Sequence, residues 1–105
     1  MELKIYWTDF SKRSLRDIFE YYRSKAGKKI AKKIVDEIYN QTFIIVSQPE
    51  IGQIEPLLVD RQQEFRYLIF KNYKIIYWFN SEANRIEIND VFDTRQDPIN
   101  IRRNK

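Results

Sequence analysis

The stretch "NDVFDTRQDP", residues 89–98, ends a strand-like run in side chains that are polar except at the proline. A strand exit needs only turn formers such as Asp, Asn, Gly or Pro, so Arg95 is surplus to that need. A guanidinium carries a permanent charge and a fork of N–H donors. Arg95 can therefore pair locally with Asp93 or Asp97, or hold an anion supplied from outside. The 105-residue chain has neither cysteine nor histidine, which removes disulfides, thiolate nucleophiles, Cys/His zinc sites and histidine general bases. What remains for chemistry is basic. Lys and Arg number 19 against 15 Asp and Glu, and the net charge of +4 favours acidic partners without demanding nucleic acid. One cationic cluster, Lys28, Lys29, Lys32 and Lys33, sits where a helix should begin. There cations oppose the helix dipole, so it is either a solvated face or a partner surface.

The elements that must position these groups are legible from periodicity. "ELKIYW" alternates as a strand, with Leu3, Ile5 and Trp7 on one face. Thr8 or Asp9 can cap a helix that carries Phe10, Leu15, Ile18, Phe19 and Tyr22 on one side and stops at Gly27. Tyr21 and Tyr22 read as packing residues. A second helix carries Ile30, Ala31, Ile34, Val35, Ile38, Tyr39, Ile45 and Val46, with Lys32–Asp36 and Lys33–Glu37 pairs at i,i+4 spacing, and ends before Pro49 and Gly52. Residues 47–63 read as a connector with Leu57, Leu58 and Val59 as an apolar plug. "EFRYLIF" and "YKIIYWF" form a hairpin around Lys71-Asn72, with Asn72 suited to positive φ. "RIEINDVF" follows, with Ile86, Ile88 and Phe92 in phase.

The expectation is an α+β fold in β-α-α-β-β-β order, two antiparallel N-terminal helices packed on one face of a mainly antiparallel four-stranded sheet. A hydrophobic fraction of 43% and this length fit one domain, residues 1–98, with a basic, mobile tail at 99–105. The N-terminus lacks a signal peptide's apolar stretch and no run is long enough to span a membrane, so a cytoplasmic protein is expected. In the middle strand both alternate sets, Tyr73, Ile75, Tyr77, Phe79 and Lys74, Ile76, Trp78, are largely apolar, so something should cover the second sheet face. Tyr77 and Trp78 point to opposite faces, one a core residue and the other a contact candidate.

This layout, with "DIFEYYRSKAG", "SQPEIG", "FRYLIFKNYKIIYWF" and "DVFDTRQDP" in that order, resembles the RelE/ParE superfamily of type II toxin–antitoxin toxins over nearly the whole chain. The resemblance implies a cognate antitoxin that wraps the toxin and covers its open sheet face, with Tyr77, Trp78 and Arg66 as contacts. It aligns Arg95 with the arginine that the family's ribosome-dependent mRNA nucleases set at the scissile phosphate, and Lys74 with a second basic position. Arg66 and Lys71 face the same region, and Arg102 and Arg103 add charge for a target or nucleic acid. Catalysis would then fall to Arg95, Lys74 and Lys71. The nuclease pattern is incomplete, because arginine does not deprotonate at working pH and the segment after it, "QDPINI", holds neither Tyr nor His. "DTRQDP" is more similar to the ParE branch, which acts on DNA gyrase and is not nucleolytic. The resemblance implies no cofactor and no metal. A general nucleic-acid-binding domain is the remaining alternative.

Overall fold

The computed structural model describes residues 3–103. Strand β1 (Lys4–Trp7) leads directly into helix α1 (Asp9–Ala26). The turn is set by Thr8, whose hydroxyl oxygen accepts from the Ser11 N–H at 3.1 Å, satisfying one free donor of the first turn. The Thr8 backbone N–H donates to the Ile88 carbonyl at 3.2 Å, so the cap is also anchored to the sheet. Gly27 alone separates α1 from α2 (Lys28–Ser47). Its φ of 93° and ψ of 164° lie in a region open essentially to glycine. Of the two expected helix pairs, Lys32–Asp36 forms at 2.6 Å, whereas Glu37 lies 3.8 Å from Lys71. That contact brings the tip of the β-hairpin to α2.

The sheet order is β1-β5-β4-β3-β2, with β3 at Arg66–Phe70, β4 at Tyr73–Asn80 and β5 at Arg85–Asp93. β1 pairs in parallel with β5 and the other pairings are antiparallel, so the sheet is mixed. It has five strands rather than four. The addition, β2 (Gln53–Ile54), lies inside the expected connector and is too short for any periodicity to reveal. In the β3–β4 hairpin the left-handed residue is Lys71, with φ 54°, and not Asn72.

Register departs once from simple alternation. Ile76 pairs with Asp90 but Tyr77 pairs with Ile88, which leaves Asn89 as an extra residue on β5. Downstream of that bulge the faces exchange. Val91 joins Ile86 and Ile88 in the helix-side core with Ile18, Ile38 and Ile75, while Phe92 turns to the opposite face. Phe92 is therefore not in phase with Ile86 and Ile88, as a plain period of two had implied.

The second sheet face is covered by the chain itself. Ile76 and Phe92 pack with Phe65, with Leu58 from a 3-10 turn at Pro56–Leu58, and with Ile101 from a 3-10 helix at Pro98–Arg103. The expected need for an outside partner to bury the middle strand's apolar surplus is met internally. The segment expected as a tail forms a 3-10 helix through residue 103 that packs on this face. Ile101 is 3% exposed, and Arg102 donates to both Asp60 carboxylate oxygens at 2.8 Å and to the Leu57 carbonyl at 2.9 Å. Residues 104 and 105 lie outside the described residues.

Candidate functional site

Arg95 leaves the end of β5 on a turn tied to the neighbouring hairpin. The N–H and the hydroxyl of Thr94 both donate to the Asn72 carbonyl at 2.8 Å. Asp93 then accepts from the Arg95 backbone N–H at 2.9 Å and from its guanidinium at 2.7–3.2 Å. These hydrogen bonds hold the Asp93 carboxyl below its ordinary range and raise the already high pKa of Arg95. The local pairing expected from sequence thus forms. It leaves the Arg95 side chain about half exposed, with its guanidinium 5.8 Å from the centre of the Tyr21 ring.

The pairing faces Arg95 toward α1 across a cavity of about 190 Å³. Ser14, Asp17 and Tyr21, one face of α1 at helical spacing, form one wall, and Tyr73, Gln96 and Arg103 are among the residues opposite. Burial, reinforced by a 3.3 Å contact with the Tyr22 hydroxyl, raises the pKa of Tyr73, which keeps the phenol protonated and leaves no phenolate to take a proton. Beside this cavity Asp90, 1% exposed, accepts from Ser14 at 2.9 Å and from Arg103 at 3.0 Å. Burial raises its pKa despite the guanidinium opposite. Sequence reading missed the α1 wall. Tyr21, which reads as a packing residue from sequence, is 45% exposed beside Arg95.

The other candidates do not converge on Arg95. Lys74 lies on the second face, its ammonium 3.0 Å from buried Glu55 and 4.2 Å from the centre of the Tyr67 ring. Lys71 sits at the hairpin tip near Glu37. Arg66 donates to the Gly52 carbonyl at 2.8 Å and pairs with Glu64 at 3.1 Å. Arg102 is held by Asp60, and only Arg103 shares the Arg95 cavity. Tyr77 is fully buried, its hydroxyl donating to the Pro49 carbonyl at 2.8 Å and accepting from the Gly52 N–H at 2.9 Å. It is a core residue and not a surface contact for a partner. Trp78 lies half-buried on the second face beside the cluster of Leu58 and Ile101.

A second feature lies on the other side of α1. Trp7, Leu15, Phe19, Val35 and Tyr39 line an apolar cleft of about 360 Å³, with Lys12 and Arg16 at its rim. Tyr39 stacks on Trp7 at 6.2 Å and meets Phe43 edge-on at 5.4 Å, and both Tyr39 and Phe43 remain about half exposed. Among the described residues the buried Trp7 indole N–H finds no acceptor. An amphipathic partner segment would bury this surface at a gain of roughly 25 cal/mol per Å² of apolar area.

No curated protein matches the sequence. Among solved structures, the fold is similar to a chain of the "Chromosomal ParDE TA system from P. aeruginosa", with a TM-score of 0.72 at 18% identity, covering 88% of this chain and 96% of that one. A family model described as "ParE toxin of type II toxin-antitoxin system, parDE" matches residues 5–98. With nearly the whole chain matched and the arginine-bearing strand exit included, this protein belongs to the ParE toxin family of type II toxin–antitoxin systems.

Proposed function

We propose that this protein arrests growth by inhibiting DNA gyrase, acts in the cytoplasm, and is held inactive by a cognate antitoxin. The observation that carries this reading is the separation of the basic residues a nuclease would need together. Arg95 faces α1 and Lys74 is bound to Glu55 on the opposite face, which Leu58, Phe65 and Ile101 close with apolar side chains. RNA cleavage through the 2′-hydroxyl requires one group to take that proton and another to protonate the leaving oxygen. Of the tyrosines that line the Arg95 cavity, Tyr73 has a raised pKa, and the guanidinium cannot act as a base. A protein that works by binding a large target needs no such pair. The apolar cleft along α1 and α2 suits the antitoxin, whose own apolar residues would enter it and whose carboxylates would meet Lys12. No helix of the described residues is long and apolar enough to cross a membrane, which agrees with a cytoplasmic target.

The test has two readouts. The purified protein should block supercoiling of relaxed plasmid by gyrase, while brief induction without antitoxin should leave the 5′ ends of cellular messages unchanged by primer extension. New cuts within translated frames that vanish in Arg95→Ala would replace this reading with ribosome-dependent RNA cleavage.

A further inference from the structure

Beside the Arg95 cavity, and sharing Ser14, Asp17 and Arg103 with it, lies a second opening of about 290 Å³ lined also by Phe10, Arg13 and Arg16. The Phe10 ring has two cations over it, the guanidiniums of Arg13 at 5.8 Å and of Arg103 at 5.1 Å from its centre. Arg13 and Arg16 are exposed and, among the described residues, neither is paired with a carboxylate. Several other arginines are matched to acids, as at Arg23–Glu20, Arg95–Asp93 and Arg102–Asp60. Leaving two guanidiniums unmatched at the mouth of one cavity is an arrangement that awaits an anion.

We propose that the cavity of Phe10, Arg13, Arg16 and Arg103 is a phosphate site through which this protein holds the backbone of DNA. The two cavities, which share lining residues, gather the guanidiniums of Arg13, Arg16, Arg103 and Arg95 beside α1, and the Arg95 cavity includes the exposed ring of Tyr21. From Phe10 to Tyr21 the helix rises roughly 16 Å. A DNA strand spaces its phosphates about 3.4 Å apart along the axis, so this length meets several of them. Forked donors around the single ring of Phe10 suit such a backbone, the other side chains that line this opening being polar or charged. An acidic amphipathic peptide would find its apolar contacts in the cleft of Trp7, Leu15, Phe19, Val35 and Tyr39, which borders this opening at Arg16. The carboxylate of Asp17 opposes an anion here and Arg103 is already paired with Asp90, so the site's excess charge rests on Arg13 and Arg16, which outnumber Asp17.

This inference goes beyond gyrase inhibition and its test requires no gyrase. Binding of the full-length protein to a short fluorescein-labelled duplex of mixed sequence is measured by anisotropy between about 50 and 200 mM salt. The expected result is salt-sensitive binding. The double variant Arg13→Ala, Arg16→Ala should weaken it by about tenfold or more at the higher salt and make the log–log salt slope shallower by about 2. Its melting curve should stay close to the parent's, and Asp17→Asn should tighten binding. Poly-L-glutamate bound in preference to the duplex would assign the site to an acidic protein segment instead. Either that outcome, an absence of duplex binding, or a double variant with unaltered affinity and slope overturns the proposal.

Discussion

Arg95 shows how one side chain can be structurally satisfied and still available. Its backbone and side chain both donate to Asp93, yet its guanidinium is about half exposed over Tyr21. Exposed ion pairs contribute little to stability because water already solvates both charges. Arg95→Ala is therefore expected to move the melting temperature by no more than about 3 °C, while growth arrest on induction without antitoxin is lost. A large fall in melting temperature, measured by circular dichroism, would instead make Arg95 a structural residue. Tyr77 is its opposite, with no exposed surface and both roles of its hydroxyl in use between Pro49 and Gly52. Tyr77→Phe leaves the Gly52 N–H and the Pro49 carbonyl without that partner, at an expected cost of about 1–3 kcal/mol in urea unfolding. No side chain could be added at Gly52 to compensate, since a Cβ there would lie 2.7 Å from the Tyr67 carbonyl oxygen.

Helix α1 divides the surface. One side, through Leu15 and Phe19, faces the apolar cleft shared with Val35 and Tyr39, and the other, through Ser14, Asp17 and Tyr21, faces Arg95 and Arg103. The two sides make separable predictions. Tyr39→Glu places a charge in the cleft without touching the Arg95 side. It should abolish co-purification with the antitoxin and its rescue of growth, while toxicity persists. Continued rescue by the antitoxin would show that it docks elsewhere. The single-residue joint at Gly27 fixes how the two helices sit against each other, because its φ of 93° would strain any side chain.

In the molecule as a whole, both ends of the chain are drawn onto the sheet. β1 pairs with β5, and the C-terminal 3-10 helix closes the second face through Ile101, Arg102 and Arg103. Ile101→Ala should cost about 2–5 kcal/mol, because it empties part of a small core with little freedom to collapse. Chemical unfolding measures that loss directly. The clamp also carries an acid-sensitive element. Hydrogen bonds from Arg102 lower the Asp60 pKa to about 2. A depressed carboxyl stabilises the fold above its ordinary unfolded value and loses that contribution as pH falls through the folded one. Between pH of about 4 and 2 the parent should lose stability that Asp60→Asn has already lost, so the two melting profiles converge there. Curves that stay parallel would exclude the Asp60–Arg102 pair as a contributor.

The sequence by itself determined the helices, the hairpin and the identity of Arg95 as an unusual strand exit. Each of these is a local matter: periodicity of 3.6 or two, a capping Thr8, a glycine where a helix must stop, and a polar run after an apolar one. It also excluded histidine and thiol chemistry outright. Only the tertiary structure decided which face each candidate occupies. The bulge at Asn89 reverses the alternation of β5 and sends Phe92 away from Ile86 and Ile88, a shift that depends on pairing with β4. Ile54 and Ile101 have neighbours distant in sequence, so no local pattern announced β2 or the C-terminal clamp. Lys74 and Arg95, read together as basic positions of one site, are parted because side chains on a sheet have two directions and Glu55 waits on one of them.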